Sequence, residues 1–561
     1  MRKRLFCLLL TVSLLSGCAL FGKDKTPDSP KPAGQEQIEV DYAEEDEMMM
    51  FAAAEEMYDE GMAYEAGYST NAMMAPMAKS AEYMPEPEPG YPEPDWNTES
   101  YEYTEENRFM STKTSPFSTF AADVDTASYT NVRNKLLKGE SIPADAVRVE
   151  EFVNYFHYDL PEPEGSDPFS VTTELADCPW NPDTQLLFIG LQAKKLDTRE
   201  MPESNLVFLI DVSGSMDEPD KLPLVQRSFK TLAENLSEND KVSMITYSSG
   251  EEVILDGVTG DNELEITSAL DGLYASGATN GESALKRAYE IAEKNFIKGG
   301  NNRIIMATDG DFNVGMSSSE LIRFVADKAK KEGIDISVLG FGMGNYKDDT
   351  LESIADSGNG NYAYIDSVDE ARKVLVEEAG GTLFTVAKDV KLQVEFNPSQ
   401  IKGYRLIGFE NRLMAAEDFA DDTKDGGEIG AGHQVVALYE IVPVGSDFEI
   451  PEVESKYAAE SADGGSDELL TLNIRYKKPG TDSSELFSYP VDKSMYTEEL
   501  SDNASWAAGV AQAAMLLKGS EYAGTSTFDG IKERLAGIEG SWNQDYSTEV
   551  LYLLGKMQKA R

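Results

Sequence analysis

Residues 204–380 repeat one pattern, in which a short apolar run precedes an amphipathic segment with helical spacing. The apolar runs are, in chain order, NLVFLIDVS, KVSMITYS, NRIIMATDG and IDISVLGFG. The first run is apolar without alternation, which is typical of a central parallel strand that is buried on both faces. Strands that alternate with helices predict an α/β domain with a Rossmann-like order, a mainly parallel central sheet and helices on both faces.

The helical segments of this region carry local signals of their own. Between positions 222 and 236, apolar residues recur every three or four positions, which predicts a helix with one buried face. Ser317 and Glu320 have the spacing of a capping box, and Gly333 is a matching stop. We therefore expect a further helix from about Ser317 to Gly333.

The segments on either side of this region have different hydrophobic patterns. Within 108–203, FSTFAADVDTASYTNVRNKLLKG predicts a strand and then a helix, VRVEEFVNYF a helix, and FSVTTEL with QLLFIGLQA a pair of strands. Within 381–561, the runs VKLQVEF, YRLIGFENR, HQVVALYEIVP and ELLTLNIRY predict a β-rich, sandwich-like domain. Two helical segments, SWAAGVAQAAMLLKG and STEVLYLLGKMQKA, end it. We expect an N-terminal α+β domain and a C-terminal β-rich domain that ends in helices.

The chain begins with MRKRLFCLLLTVSLLSGC, in which cations precede a short apolar stretch, the layout of a secretory signal peptide. Its end resembles the bacterial lipobox, which implies removal of residues 1–17 and lipidation of Cys18; an ordinary signal peptide with a chance cysteine is the alternative. Ala19 follows. By that resemblance, the protein is expected in the cell envelope, in the outer membrane of a host with two membranes and otherwise on the outer face of the cell membrane.

Residues 18–107 differ in composition from the rest of the chain. The stretch from 36 to 106 has 21 acidic residues against one cation, Lys79, together with nine methionines and the Pro-rich run MPEPEPGYPEP. Repelling charges and interrupting prolines predict a disordered tether. A partner-binding stripe or a copper-binding tract are the alternatives.

The charge of the whole chain restricts its partners. It has 101 acidic and 49 basic residues, a net charge of −52. Nucleic-acid binding needs a cationic surface, so we expect no nucleic acid as a partner. Such a field concentrates divalent cations and basic molecules instead.

Cysteine and histidine are too rare for the sites they usually build. If Cys7 leaves with the signal peptide and Cys18 carries lipid, only Cys178 remains, and no intrachain disulfide can form. A lone cysteine beside tryptophan is expected to be a small buried apolar residue. His157 and His433 are the only histidines, and two histidines without thiolate ligands argue against a zinc site.

Oxygen ligands follow the strands of 204–380 at the ends where ligands bind in α/β sheets. Asp211, Ser213 and Ser215 follow the first strand, Thr279 precedes a helix, and Asp309 follows a later strand. Carboxylate and hydroxyl oxygens suit magnesium or manganese, with calcium as an alternative.

These residues resemble the metal-ion-dependent adhesion site of the von Willebrand factor type A family, Asp-x-Ser-x-Ser followed by a threonine and an aspartate. The resemblance implies that all five residues hold a cation directly or through water, and that a protein partner offers a carboxylate to its open position. FSTFAADVDTASY and YRLIGFENR resemble the flanks of YfbK-like bacterial lipoproteins. The expected function is therefore protein binding by a lipid-anchored envelope protein, although the net charge opposes the approach of an acidic partner.

Other functions fit the sequence less well. A metal-assisted hydrolase would need a positioned base, which the sequence does not supply, and a purely structural scaffold is the remaining alternative. Asp123 and Asp125 match the start of a haloacid-dehalogenase-type phosphatase motif, but a polar loop or helix cap is favoured. The EF-hand spacing from Asp309 to Glu320 fails because Val314 replaces the required glycine. No P-loop sequence occurs.

Overall fold

The structure is a computed structural model. It describes residues 99–122, 125–165, 167–196, 201–310, 317–343, 347–378, 381, 384–424, 426–450, 467–481, 483–538 and 544–560, all within one compact unit, Pro92–Arg561. The predicted signal peptide, Cys18 and most of the predicted tether lie outside the described residues. No helix in the described part of the chain is long and apolar enough to cross a bilayer.

Strands and helices are labelled in chain order. The described strands are β1 (Met110–Ser111), β2 (Phe117–Ala121), β3 (Phe169–Asp177), β4 (Gln185–Ala193), β5 (Ser204–Asp211), β6 (Lys241–Tyr247), β7 (Glu251–Thr259), β8 (Asn301–Thr308), β9 (Asp335–Phe341), β10 (Tyr362–Ile365), β11 (Thr385–Phe396), β12 (Ile401–Ile407), β13 (Gly427–Gly430), β14 (Gln434–Pro443), β15 (Glu468–Lys477) and β16 (Ser484–Asp492). The described helices are α1 (Ala127–Lys138), α2 (Val149–Asn154), α3 (Leu222–Ala233), α4 (Glu263–Asp271), α5 (Glu282–Lys294), α6 (Ser318–Glu332), α7 (Asp348–Ser357), α8 (Val368–Arg372), α9 (Asp502–Lys518), α10 (Phe528–Ala536) and α11 (Gln544–Ala560).

The central domain, residues 204–380, is built on a six-stranded sheet with the order β10-β9-β8-β5-β6-β7. The first five of these strands pair in parallel, and β7 joins β6 as an antiparallel edge. Every residue of β5 and of β8 is buried, because helices cover both faces of the sheet. The predicted α/β class with a mainly parallel sheet is confirmed.

Helix ends in the central domain follow the local signals closely. Ser317 and Glu320 form the predicted capping box of α6, and Gly333 ends that helix in the left-handed conformation at φ 67°. Glu320 is therefore a cap and not a cation ligand. Helix α3 ends at Ala233, earlier than predicted, and Leu236 packs against the core from the turn that follows.

The two flanks of the central domain form one β-sandwich. One antiparallel sheet has the order β1-β12-β14-β4-β3, and the other consists of β13-β11-β15-β16 with β2 paired to β11. Each sheet thus combines strands from 108–203 with strands from 381–561, and apolar side chains of both sheets meet in one core. The sequence suggested two separate flanking domains; in the structure, the central domain is an insertion between β4 and β11.

Helices cover the outer face of the first sheet. Trp506 of α9 and Phe152 of α2 pack in one apolar cluster with residues of α1, α10 and α11. Cys178 lies in the same cluster and is 5% exposed. Burial raises the pKa of its thiol to about 12, so this thiol is held protonated, as expected of a small buried apolar residue.

The packed structure begins before the predicted end of the tether at 107. Glu99 accepts a hydrogen bond from Lys135 Nζ at 2.7 Å, and both side chains are at most 5% exposed. Tyr101 packs against two of the apolar clusters and donates to Asn131. The described residues from 99 onwards therefore belong to the folded unit. The acidic composition of the segment suggested that Glu99 is exposed to solvent, but the buried Lys135 pairs with it.

A buried ionic cluster holds the central domain against the sandwich. Arg148, at the start of α2, contacts Asp348 and Glu352 of α7. Arg412, from the C-terminal flank, contacts Glu352 and also Asp125, whose other oxygen accepts from the backbone at position 362. Asp125 is thus a structural contact, in agreement with its expected role as a polar loop residue, while Asp123 lies outside the described residues.

Candidate metal centre

Asp211 ends the central strand β5, and its carboxylate is fully buried. One oxygen accepts a hydrogen bond of 2.8 Å from the backbone N–H of Ser213, and the other accepts from the Thr308 hydroxyl at 3.3 Å. Thr308 ends the neighbouring parallel strand β8. The carboxylate is therefore oriented from two adjacent strand ends.

Electrostatics around Asp211 favour an added positive charge. Burial is the main cause that raises the pKa of this carboxyl to about 6, and the negative charge of Asp309 adds to it. Hydrogen bonds from Ser213 and Thr308 act in the opposite direction. Two carboxylates thus interact in a poorly solvated region. A cation there would offset the free-energy cost of burying their charges and would reduce the repulsion between them.

The two serines lie side by side in the turn after β5. Their hydroxyl oxygens are 3.0 Å apart, with Ser213 buried and Ser215 half-buried. The turn is held by the N–H of Gly214, which donates to the Gly277 carbonyl at 3.0 Å. Gly277 has φ 84°, and a Cβ there would lie 2.7 Å from the Ser249 hydroxyl, so this close approach requires glycine.

Thr279 lies two residues after Gly277, in the loop between α4 and α5, and is half-buried. Its loop is joined to the turn after β5 by a second bond, from the N–H of Ser276 to the Val212 carbonyl at 2.7 Å. The structure therefore brings the loop of Thr279 against the turn of Ser213 and Ser215.

Asp309 follows β8 directly, and its side chain is fully buried. One of its oxygens accepts a hydrogen bond of 3.0 Å from Lys221 Nζ. The same ammonium donates to the Ser215 backbone carbonyl at 2.9 Å. Sequence reasoning missed Lys221, since a lysine at the start of an amphipathic helix gives no local sign that its side chain turns inward.

The donor set suits a hard divalent cation. Two buried carboxylates and two adjacent hydroxyls lie at the carboxyl edge of the sheet, and magnesium, manganese and calcium all prefer oxygen ligands. Among the described residues, no group of three or more His, Cys, Asp or Glu side chains is placed to hold a metal. The hydroxyl-rich set is therefore the candidate.

Neither histidine lies at this site. His157 is 58% exposed, and its Nε2 lies 3.7 Å from Glu378. His433, which precedes β14 of the sandwich, lines a cavity together with Glu378 and Tyr362 of the central domain. Neither imidazole is thus positioned to act as a base beside Asp211.

Comparison with known proteins covers most of the chain. Residues 205–377 match the von Willebrand factor type A domain, residues 95–188 match a model described as von Willebrand factor, and residues 381–560 match the C-terminal region of the uncharacterized protein YfbK. The uncharacterized protein YfbK of Escherichia coli K12 is 40% identical over 467 residues, which are 82% of this chain and 80% of that protein.

More distant similarities involve smaller parts of other proteins. The bovine inter-alpha-trypsin inhibitor heavy chain H4 is 30% identical over 147 residues, 25% of this chain and 16% of that protein. A solved von Willebrand factor type A structure from Catenulispora acidiphila is 16% identical and aligns with a TM-score of 0.39 over 71% of this chain and 91% of its own.

Proposed function

Because this chain belongs to the YfbK family and contains a von Willebrand factor type A domain, we propose that it binds a protein partner at the cell envelope through a metal ion held in that domain. The observation that carries the proposal is the arrangement around Asp211. A buried carboxylate, two hydroxyls 3.0 Å apart and a second buried carboxylate meet at one edge of the sheet. Protein binding at this edge is the function that such a donor set supports best.

We assign the metal to Asp211, Ser213, Ser215, Thr279 and Asp309. A bound magnesium or manganese ion, or calcium as an alternative, supplies an electron-poor centre that accepts a carboxylate from the partner. Two carboxylates offset the charge of the ion without filling its coordination shell. The protein's contribution is to hold Asp211 between two hydrogen bonds and to keep the serine turn against the loop of Thr279.

Binding is favoured over hydrolysis for a chemical reason. Metal-assisted hydrolysis needs a group that moves a proton at the reacting centre. His157 and His433 lie elsewhere, and Asp309 is engaged by Lys221. The arrangement therefore favours stable capture of a ligand.

The location at the envelope rests on the N-terminal sequence. We propose that residues 1–17 are removed, that Cys18 carries the lipid, and that residues from 18 onwards link the anchor to the folded unit. The lipobox-like sequence and the cationic, apolar start of the chain support this assignment. The destination is the outer membrane in a host with two membranes, and otherwise the outer face of the cell membrane.

Magnesium titration by calorimetry tests the site. Asp211→Asn keeps an acceptor for the Ser213 N–H but removes the charge, so magnesium binding should weaken by about 100-fold or more. Asp217→Asn is the matched control, because Asp217 is exposed in the same segment of chain and should bind magnesium as the wild type does. Equal affinity of wild type and Asp211→Asn would refute the metal assignment.

Crosslinking in intact cells, with and without a chelator, tests the partner. A captured protein that is lost in chelator and in the Asp211→Asn variant, but kept in Asp217→Asn, supports metal-dependent binding. Capture that is the same in all four conditions would show that the metal site does not mediate binding.

A further inference from the structure

Lys221 places a positive charge inside the candidate metal centre. Its side chain is 7% exposed, and the Asp309 side chain that it contacts is not exposed at all. The ammonium lies 3.0 Å from Asp309 Oδ2 and 2.9 Å from the Ser215 carbonyl oxygen. It therefore contacts two of the proposed metal-binding residues at once.

The path of the lysine stem is built into the fold. Lys221 directly precedes α3 as its N-cap, and its stem passes over Gly342, just after β9. A Cβ at position 342 would lie 2.4 Å from two carbons of the stem, and Gly342 has φ 69°. Glycine is thus needed at 342 both for the backbone conformation and for the space through which Lys221 reaches Asp309.

The Lys221 ammonium changes the net charge of the centre in both the metal-free and the metal-bound state. Without a metal, the centre holds the two buried carboxylates of Asp211 and Asp309 and one ammonium, which contacts Asp309. A divalent cation alone would neutralise both carboxylates, so together with Lys221 it leaves the centre with one excess positive charge. That excess would repel the metal and would attract an incoming carboxylate.

We propose that Lys221 is a built-in counter-ion of the metal centre, which stabilises Asp309 in the metal-free protein, weakens metal binding, and makes the loaded centre positive towards an acidic ligand. This inference rests on the proposed metal site. It supplies a local attraction for a carboxylate on a protein whose net charge of −52 opposes acidic partners at a distance.

Magnesium calorimetry on the full-length protein measures the effect on the metal. Lys221→Met keeps the length and apolar character of the stem and removes the charge, so it should bind magnesium about tenfold or more tightly than the wild type. Lys138→Met is the matched control, because Lys138 pairs with the adjacent Asp220 at 2.7 Å but is about one-third exposed and does not reach Asp309. Its magnesium affinity should be that of the wild type.

Thermal unfolding in chelator measures the counter-ion role without any metal. Removing one partner of a buried pair should lower the unfolding temperature of Lys221→Met by about 3 to 5 °C in a unit of this size. Adding Asp309→Asn to Lys221→Met should recover most of that loss, since the buried charge that lost its ammonium is then removed as well. Lys138→Met should shift the temperature by less than about 1 °C.

The two assays separate the possible outcomes. If the wild type binds magnesium and Lys221→Met binds it equally or more weakly, the inference is wrong while the proposed function stands. If neither protein binds magnesium, the proposed metal function and the claim about metal affinity both fail. In that case a Lys221→Met that is as stable in chelator as Lys138→Met removes the counter-ion role as well.

Discussion

Arg148 should be among the most costly single residues to replace, because three buried carboxylates depend on it. Its side chain is 5% exposed, and those of Glu151, Asp348 and Glu352 are at most 10% exposed. Arg148→Met keeps much of the stem but leaves these carboxylates without that cation, although Glu352 retains Arg412. Breaking a buried pair in this way costs about 3–5 kcal/mol. At about 2 cal/mol/K per residue, this corresponds to roughly 3–5 °C in the unfolding temperature of the unit.

The cost should depend on pH in a defined direction. Burial is the main cause that raises the pKa of Glu151 to about 8, with the carboxylates of Glu352 and Asp348 adding and Arg148 opposing. The folded state thus holds this proton more tightly than the unfolded chain, so the contribution to stability is complete below about 4.5 and is lost as pH rises through about 8. Without Arg148 the carboxyl pKa rises further. The destabilisation by Arg148→Met should therefore be larger at pH 8 than at pH 5.

Urea and thermal unfolding at pH 5 and pH 8 provide the assay. Arg475→Met is the control, because Arg475 pairs with Asp422 at the surface, with side chains 24% and 40% exposed. An exposed pair contributes at most about 1 kcal/mol. If Arg148→Met is no less stable than Arg475→Met at pH 8, or if its deficit grows at pH 5, the reasoning about this buried cluster is incorrect.

Three further predictions concern the anchor, the tether and the metal ligands. Cys18→Ser should release the protein from membranes, as measured by fractionation, and mass spectrometry that finds an unmodified Cys18 in membrane-bound protein would contradict lipidation. Limited proteolysis should cut first between 34 and 98, on the N-terminal side of Glu99, because that composition cannot bury enough apolar surface; early cleavage within 204–380 would oppose this. In magnesium calorimetry, Asp211→Ala should lose more affinity than Thr279→Ala, since water can replace a neutral hydroxyl but not a charge; equal losses would argue against this ranking.

The five residues proposed as metal ligands could be selected from the sequence because each belongs to a strand end or a loop with a local signature. Asp211 and Asp309 follow apolar runs directly, and parallel strands place their carboxyl ends at one edge. Lys221 was not visible, because its partner at position 309 is chosen by side-chain packing over Gly342. Charge and residue type show which side chains need an ionic or hydrogen-bond partner when they are buried, but they do not identify that partner.

The sequence by itself determined the parallel strands β5, β6, β8 and β9 and most strands and helices of both flanks, since these elements leave periods that neighbouring residues display. The edge strands β7 and β10 of the central sheet, and β13 and β16 of the sandwich, were not predicted. Only the tertiary structure decided that the flanks share two sheets. Strand β2 pairs with β11 in the register Ala121 to Lys391, and β4 pairs with β14, across the whole inserted domain. Such partners are selected by the burial of complementary apolar faces and by the hydrogen bonds of distant strands. A local pattern shows that a face must be covered, while the choice of what covers it depends on contacts that form only when the whole chain folds.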